Sequence, residues 1–313
     1  MGRAADWLRL SAAVRAARQW RRPLVALETA VLTHGLPPAE RVPMAAALEA
    51  TVRRAGAVAA FIALLRGNAC VGLTEREVES LATLGAAVKC ARADLGWALA
   101  QKATAGTTVS ATIYIAAQAG IEVTATGGIG GVHRDAADTF DVSADLVELA
   151  RTPVALVCSG AKSIVDLRKT QEYLESQSVP LIGFQTRDFP GFFTRETHLP
   201  LRAVAREVSE LAAAVRAYRQ TGYTGGILIL NPIPADAALP AGQVESLVAR
   251  AVKLASEQGV SGAEVTPFLL EAMNRLSDGA TLRANKALLR SNAELAVRLA
   301  THLCSSRSRS VAG

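Results

Sequence analysis

Five consecutive apolar residues, Val154–Cys158, run straight into Ser159-Gly160-Ala161-Lys162. A run without polar alternation makes a strand buried on both faces, and such strands need helices on both sides of a mainly parallel sheet. Upstream, Ile121–Thr126 alternates β-forming side chains and ends in Gly127, Gly128, Gly130 and Gly131. Without Cβ atoms, the backbone there can approach a ligand closely. Ligands of open α/β sheets gather beyond the strand ends. A lysine at such an end, flanked by small residues, suits chemistry better than packing. Its plainer reading is a surface lysine at a strand–helix junction.

The rest of the chain continues the alternation. Residues 1–22 predict one helix, an arm packed on the fold or on a neighbouring subunit. Residues 23–304 predict a single α/β/α catalytic domain, and 305–313 a disordered tail. Leu24–Leu32 reads as a buried strand with Glu28 in its middle, and a carboxylate there must be paired, hydrogen-bonded or functional. Helices are expected over Ala39–Ala55, Thr74–Leu84 (opened by a Thr74/Glu77 capping box), Leu95–Lys102, Val109–Gln118, Val165–Ser176 and Arg202–Thr221. Strands are expected over Val58–Leu65, Cys70–Leu73, Val88–Cys90, Val179–Gln185 and Ile227–Leu230. Helical segments 243–258, 262–276 and 281–304 close the chain. This order predicts a three-layer α/β/α fold around a central, mainly parallel sheet.

Composition removes several function classes. Half of the 313 residues are hydrophobic, which excludes global disorder. Lys plus Arg exceed Asp plus Glu by 34 − 28 = 6, and the excess sits at the ends: Arg3, Arg9, Arg15, Arg18, Arg21 and Arg22, then Arg307 and Arg309. With only 4% aromatic residues no basic-aromatic platform forms, so nucleic acid is not an expected partner. No apolar run reaches membrane-spanning length, so a membrane is not expected either. Cys70, Cys90, Cys158 and Cys304 show no CxxC spacing and read as free thiols in a reducing cytoplasm.

Seven motifs then occur in order: ALET…THG (Ala26–Gly35), ATGGIGGVHR (Ala125–Arg134), D-x-SADL-x-ELA-x-T-P-V (Asp141–Val154), C-x-GAKSI-x-DL (Cys158–Leu167), TQEYLE (Thr170–Glu175), NPIP (Asn231–Pro234) and E-x-TPFLL (Glu264–Leu270). Over nearly its whole length the chain resembles the pseudouridine-5'-phosphate glycosidase family. The resemblance implies a homotrimeric α/β/α enzyme that reversibly breaks the C–C bond between ribose 5-phosphate and uracil, using Mn²⁺ (or Mg²⁺). By position Lys162 is its nucleophile. Breaking a C–C bond offers no heteroatom leaving group, and an iminium between a lysine and sugar C1 supplies the electron sink. Glu28 corresponds to the proton donor; its structural alternative is a buried carboxylate tying down Thr29 or His34. Asp141 corresponds to the metal ligand, one carboxylate with several waters suiting a hard cation. Taken alone, Asp141 reads as a helix N-cap. Lys89, Thr108, Val109, Ser143, Ala144 and Asp145 match the family's sugar-phosphate contacts, the lysine giving charge and the helix start N–H donors. Thr126 and His133 on the glycine turn, and Asn285, are further candidate contacts of the phosphate or sugar; taken alone, His133 reads as a surface histidine. Glu28, Asp141 and Lys162 are expected to line one cavity.

The chain departs from the family pattern in a few places. After THG the family usually reads MPxPQN, where this chain has Leu36-Pro37-Pro38-Ala39-Glu40-Arg41. VPATI becomes Val58-Ala59-Ala60-Phe61-Ile62, and KVSRRD becomes Lys89-Cys90-Ala91-Arg92-Ala93-Asp94. Thr124 replaces the aromatic residue before ATGG. Groups able to read uracil's amide edges are lost while the sugar chemistry is kept, and such losses redirect a hydrogen-bonding pocket. The expected acceptor is therefore a larger, less polar aromatic. The family's branch that C-ribosylates aromatic polyketides in antibiotic biosynthesis, typified by the alnumycin C-glycosynthase, fits that expectation. The alternative keeps uracil and treats the departures as drift. A third reading, a sugar-phosphate binder without catalysis, is opposed by the intact Lys162, Glu28 and Asp141.

Overall fold

The computed structural model describes residues 6–85, 87–260, 262 and 265–307. Its strands are β1 Leu8–Leu10, β2 Leu24–Leu27, β3 Val58–Leu65, β4 Asn68–Val71, β5 Val88–Cys90, β6 Ala105–Thr107, β7 Val123–Ala125, β8 Ala155–Cys158, β9 Leu181–Phe184, β10 Ala203–Ala205 and β11 Ile227–Leu230. Its helices are α1 Ala12–Gln19, α2 Pro38–Arg54, α3 Glu75–Thr83, α4 Leu95–Ala100, α5 Val109–Gln118, α6 Ala136–Thr139, α7 Ala144–Leu149, α8 Leu167–Ser176, α9 Val208–Gln220, α10 Ala241–Glu257, α11 Val265–Leu276 and α12 Ala280–Arg307. The strands form one sheet in the order β1-β4-β3-β2-β7-β8-β11-β9-β10, with β6 pairing β3 and β5. All pairs are parallel except β3 with β4 and with β6.

Side-chain alternation along β2 divides the core into two layers. Leu24 and Ala26 join the cluster that holds Val14 of α1 and Ile115 of α5. Val25 and Leu27 join the one that holds Met44 of α2 and Leu289 of α12. Helix α12 packs across β2, β7 and β8. The chain leaves β2 toward β3 and leaves β7 toward β8, in opposite directions along the sheet. That reversal is a topological switch point, and a crevice opens past the C-terminal ends of β2 and β7. Among the described residues no helix is long and apolar enough to cross a membrane. Burial pushes the Cys90 thiol up to about 11 and Cys158 to about 12, which keeps both protonated and unreactive.

Several expectations need correction. Residues 1–22 are not one helix: Leu8–Leu10 pairs with the edge of β4, and Ser11 then caps α1 by accepting from Val14 N–H at 3.2 Å. Residues 1–5 lie outside the described residues. Strand β2 stops at Leu27, so Glu28 stands at its end rather than in its middle. There Thr29 donates its hydroxyl to Ile62 O at 2.6 Å, and Val31–Gly35 winds as a π-helical turn, a form often found at functional sites. Lys162 does not enter a helix directly, because α8 waits for its cap, Asp166, which accepts from Lys169 N–H at 3.0 Å. The expected helix from Arg202 begins instead as β10, paired with β9. Residues 305–307 continue α12, while 308–313 and Glu264 of the last motif lie outside the described residues.

Gly160, just past β8, has φ +86°, and a Cβ there would come within 1.8 Å of Pro190 O. Gly160→Ala is expected to cost about 3 kcal/mol through left-handed strain and overpacking. A lowered urea midpoint with an unchanged m-value checks it.

Candidate active site

The crevice between β2 and β7 is closed by one hydrogen bond: Thr126 donates its hydroxyl to Glu28 Oε1 at 2.5 Å. Glu28 is only 8% exposed. Burial raises its pKa above the ordinary 4.5; the charge of Lys162 and the Thr126 bond pull it back, and the charge of Asp145 pushes it up again. The result is a carboxyl that keeps its proton to a higher pH than a surface glutamate, as a proton donor requires.

Lys162 comes from the other side of the crevice. Its N–H donates to Ile129 O at 3.0 Å and its carbonyl accepts from Val165 N–H at 3.1 Å, which clamps the backbone against the glycine turn. Glu28, Lys162, Lys89 and Asn285 line one narrow cavity of about 50 Å³, together with His34, Gly127, Gly128 and Phe192. At Gly128 a Cβ would lie 2.6 Å from the Phe192 ring, so glycine is what lets that ring form the wall. His34 takes part in a 2.7 Å hydrogen bond between its Nδ1 and Thr33 Oγ1.

The remaining expected contacts fall into two groups. Asp145 accepts from Ser110 N–H and from Gly130 N–H, both at 2.9 Å, while Ser143 Oγ accepts from Asp145 N–H at 3.2 Å. Asp145 thus already occupies an anion position at the start of α5, beside Thr108, whose Oγ1 lies 3.0 Å from Ser110 Oγ. Val109 is buried, and Ala144 opens α7. His133 and Asp141 form the second group, with Nδ1 3.8 Å from Oδ2. Asp141 follows Phe140, an exposed residue with left-handed backbone, and its side chain is 57% exposed. The expectation of a common cavity therefore holds for Glu28 and Lys162, while Asp141 is not in its lining. Among the described residues no three His, Cys, Asp or Glu side chains gather as a metal site. One open carboxylate fits Mn²⁺ or Mg²⁺ that retains most of its water shell.

Asn292 of α12 was not among the expected residues. Fully buried, it donates from Nδ2 to Thr126 O at 2.8 Å, to Gly127 O at 3.2 Å and to Ser159 Oγ at 3.1 Å. Its Oδ1 accepts from Asn231 Nδ2 at 2.9 Å. One side chain thus pins the ends of β7, β8 and β11. Its seven-residue spacing from Asn285, two turns of helix and so one face, is the signal that points to it. Asn292→Leu leaves Thr126 O and Asn231 without this partner and is expected to cost about 3 kcal/mol. A thermal melt would show the loss, and an unchanged midpoint would contradict the strut.

The departures from the family pattern also separate. Leu36, Pro37, Pro38 and Arg41 line an outer chamber of about 480 Å³ that shares His34, Gly35, Pro267, Leu270 and Asn285 with the inner cavity. Glu40 instead pairs with Lys286 at 2.5 Å. Phe61 is core, and Thr124 is buried with a hydroxyl that has no hydrogen-bond partner among the described residues. Arg92, which the family pattern keeps, lies over the Tyr114 ring at 3.7 Å. Phe61, Thr124 and the Ala91 and Ala93 that stand where the family has Ser and Arg line neither space, so among the departures only the Leu36–Arg41 stretch reaches the chamber.

The chain is similar to known proteins over nearly its whole length. A profile of the family described as Indigoidine synthase A like protein matches residues 13–302. The chain is 46% identical to the pseudouridine-5'-phosphate glycosidase of Caldanaerobacter subterraneus subsp. tengcongensis, over 94% of this chain and 96% of the relative. It is 47% identical to that of Myxococcus xanthus, over 94% and 97%. Among solved structures it is similar to the prealnumycin C-glycosynthase AlnA in complex with ribulose 5-phosphate, with TM-score 0.90 and 36% identity over 97% and 99% of the two chains. An indigoidine synthase A-like protein from Thermotoga maritima matches with TM-score 0.87 and 34% identity over 95% and 96%.

Proposed function

This chain belongs to the indigoidine synthase A-like family, that of the pseudouridine-5'-phosphate glycosidases, and we propose that it breaks and makes the C–C bond of pseudouridine 5'-phosphate through an imine on Lys162. The observation that carries this reading is the shared cavity of Glu28 and Lys162. In the cleaving direction the neutral amine joins sugar C1 as Glu28 gives a proton to the departing ring oxygen. A proton added at the base carbon lets the C–C electron pair leave with the base, while the nitrogen lone pair forms C1=N. Water then releases ribose 5-phosphate and the amine. Lys89 offers positive charge to the sugar phosphate, and Asp141 would hold Mn²⁺ or Mg²⁺, whose charge would assist phosphate binding.

Uracil is the acceptor we favour. Identity to relatives named for that substrate is 44–47%, against 36% to the C-glycosynthase, and half of the argument for another ring dissolves with Phe61 and Thr124 in the core. The second reading, a larger phenolic ring, is favoured by the outer chamber. Enzyme, Mn²⁺, ribose 5-phosphate and uracil should yield pseudouridine 5'-phosphate. If uracil stays unused while an electron-rich phenol is ribosylated, the reaction passes to the second reading.

A further inference from the structure

Thr126 is expected from sequence to touch the sugar or the phosphate, yet its surroundings give it another task. It is 2% exposed and does not line the cavity that Glu28 and Lys162 share. Its backbone is held on both sides, the N–H donating to Val157 O at 3.1 Å and the carbonyl accepting from Asn292 Nδ2 at 2.8 Å. A β-branched side chain on so fixed a backbone has little rotamer freedom, and its hydroxyl is spent on Glu28 Oε1 at 2.5 Å. Water is poorly placed to substitute for it. The space behind the pair, walled by Leu27, Val31, Leu48, Ala125 and Leu289, is apolar and about 10 Å³, at the lower limit for a single molecule.

We infer that Thr126 is the positioning residue of the general acid: its hydroxyl, donated to Oε1, makes Oε2 the oxygen that carries the proton and delivers it to the sugar. A carboxylic acid holds its proton on one oxygen, and the oxygen already accepting a hydrogen bond is the poorer place for it. In the cleaving step that proton passes from Oε2 to the ring oxygen, and the C1–O electron pair goes to the same oxygen. The carboxylate left behind keeps the Thr126 hydroxyl on Oε1. The bond therefore strengthens as charge develops, which is the condition for it to lower the barrier. Other groups bear on the same carboxyl. Burial holds it protonated; the charge of Lys162, the Thr126 hydroxyl and the Val31 N–H favour ionisation, and the charge of Asp145 opposes it. Lys89 and His34 line the same cavity. Loss of the Thr126 bond alone raises the pH at which Glu28 gives up its proton. The inference rests on the acid role proposed for Glu28.

The dependence of kcat on pH for uracil release from pseudouridine 5'-phosphate, measured on the full-length protein with Mn²⁺, tests the assignment. Thr126→Val keeps the shape and removes the donor. Its plateau should fall at least about tenfold, because the proton is no longer aimed, and its alkaline limb should move to higher pH. Thr126→Ser restores the hydroxyl and should return the limb to the parent's position. In a Glu28→Gln background Thr126→Val should cost less than about twofold, since no acid is left to aim. Should Thr126→Val melt well below the parent, Thr126→Cys, whose thiol is a weak donor, carries the same expectations. A lower plateau with the limb unmoved, an unchanged profile, or the same loss in the Glu28→Gln background overturns the inference. A parent profile with no alkaline limb would overturn both the acid role of Glu28 and this inference, whereas a parent limb that the variants leave in place overturns this inference alone.

Discussion

Lys162→Met is expected to lower kcat for pseudouridine 5'-phosphate by at least about 10⁴-fold, the scale seen when a covalent nucleophile is removed. The loss should fall on kcat rather than KM, because the amine acts after the sugar is bound. Lys162→Arg should fail equally, since a guanidinium does not form an imine at neutral pH. Lys89, the other lysine in the cavity, sits on β5 and is not expected to replace it. Methionine keeps the length and apolar stem, and Lys162 forms no salt bridge within 4.0 Å among the described residues. The variant should therefore melt close to the parent. A large fall in melting temperature alongside lost activity would point to a structural lysine instead.

Glu28→Gln is expected to lower kcat by about 10²–10⁴-fold, the usual contribution of a positioned general acid. It should at the same time stabilise the fold at neutral pH. The sign follows from the raised carboxyl pKa. Burial penalises the charged form, so the stability present below the unfolded value of 4.5 is lost as pH rises through the folded value. Glutamine never pays that cost and still accepts from Thr126. The melting point of the variant should exceed the parent's at pH 7, and the two should meet below pH 4.5. The parent's kcat should fall on the alkaline side as Glu28 ionises, and the residual activity of Glu28→Gln should lack that limb. An equal melting difference at both pH values would contradict the assignment.

Much of this is legible in the sequence. Val154–Cys158 and Ile227–Leu230 are buried on both faces, so their continuous apolar runs mark central parallel strands without ambiguity. The exact end of β2 was hidden because the apolar run continues through Leu32 into the π-helical turn; composition does not show where pairing stops. Leu8–Leu10 reads as helix from sequence because its partner, β4, is distant in sequence, and edge pairing leaves no local mark. Asn292 escaped notice because a polar residue in a long helix reads as solvent-facing, whereas here it meets only strand ends. The motifs named Glu28 and Lys162 as partners, but the split of Asp141 from their cavity and of Phe61 from the acceptor is decided by packing.

The central claim is a covalent sugar on one amine. Incubation with ribose 5-phosphate and cyanoborohydride, followed by peptide mass spectrometry, should find a reduced pentose-phosphate adduct on Lys162 in the parent protein and none in Lys162→Met. An unmodified Lys162, or an adduct on Lys89 in its place, would contradict the account.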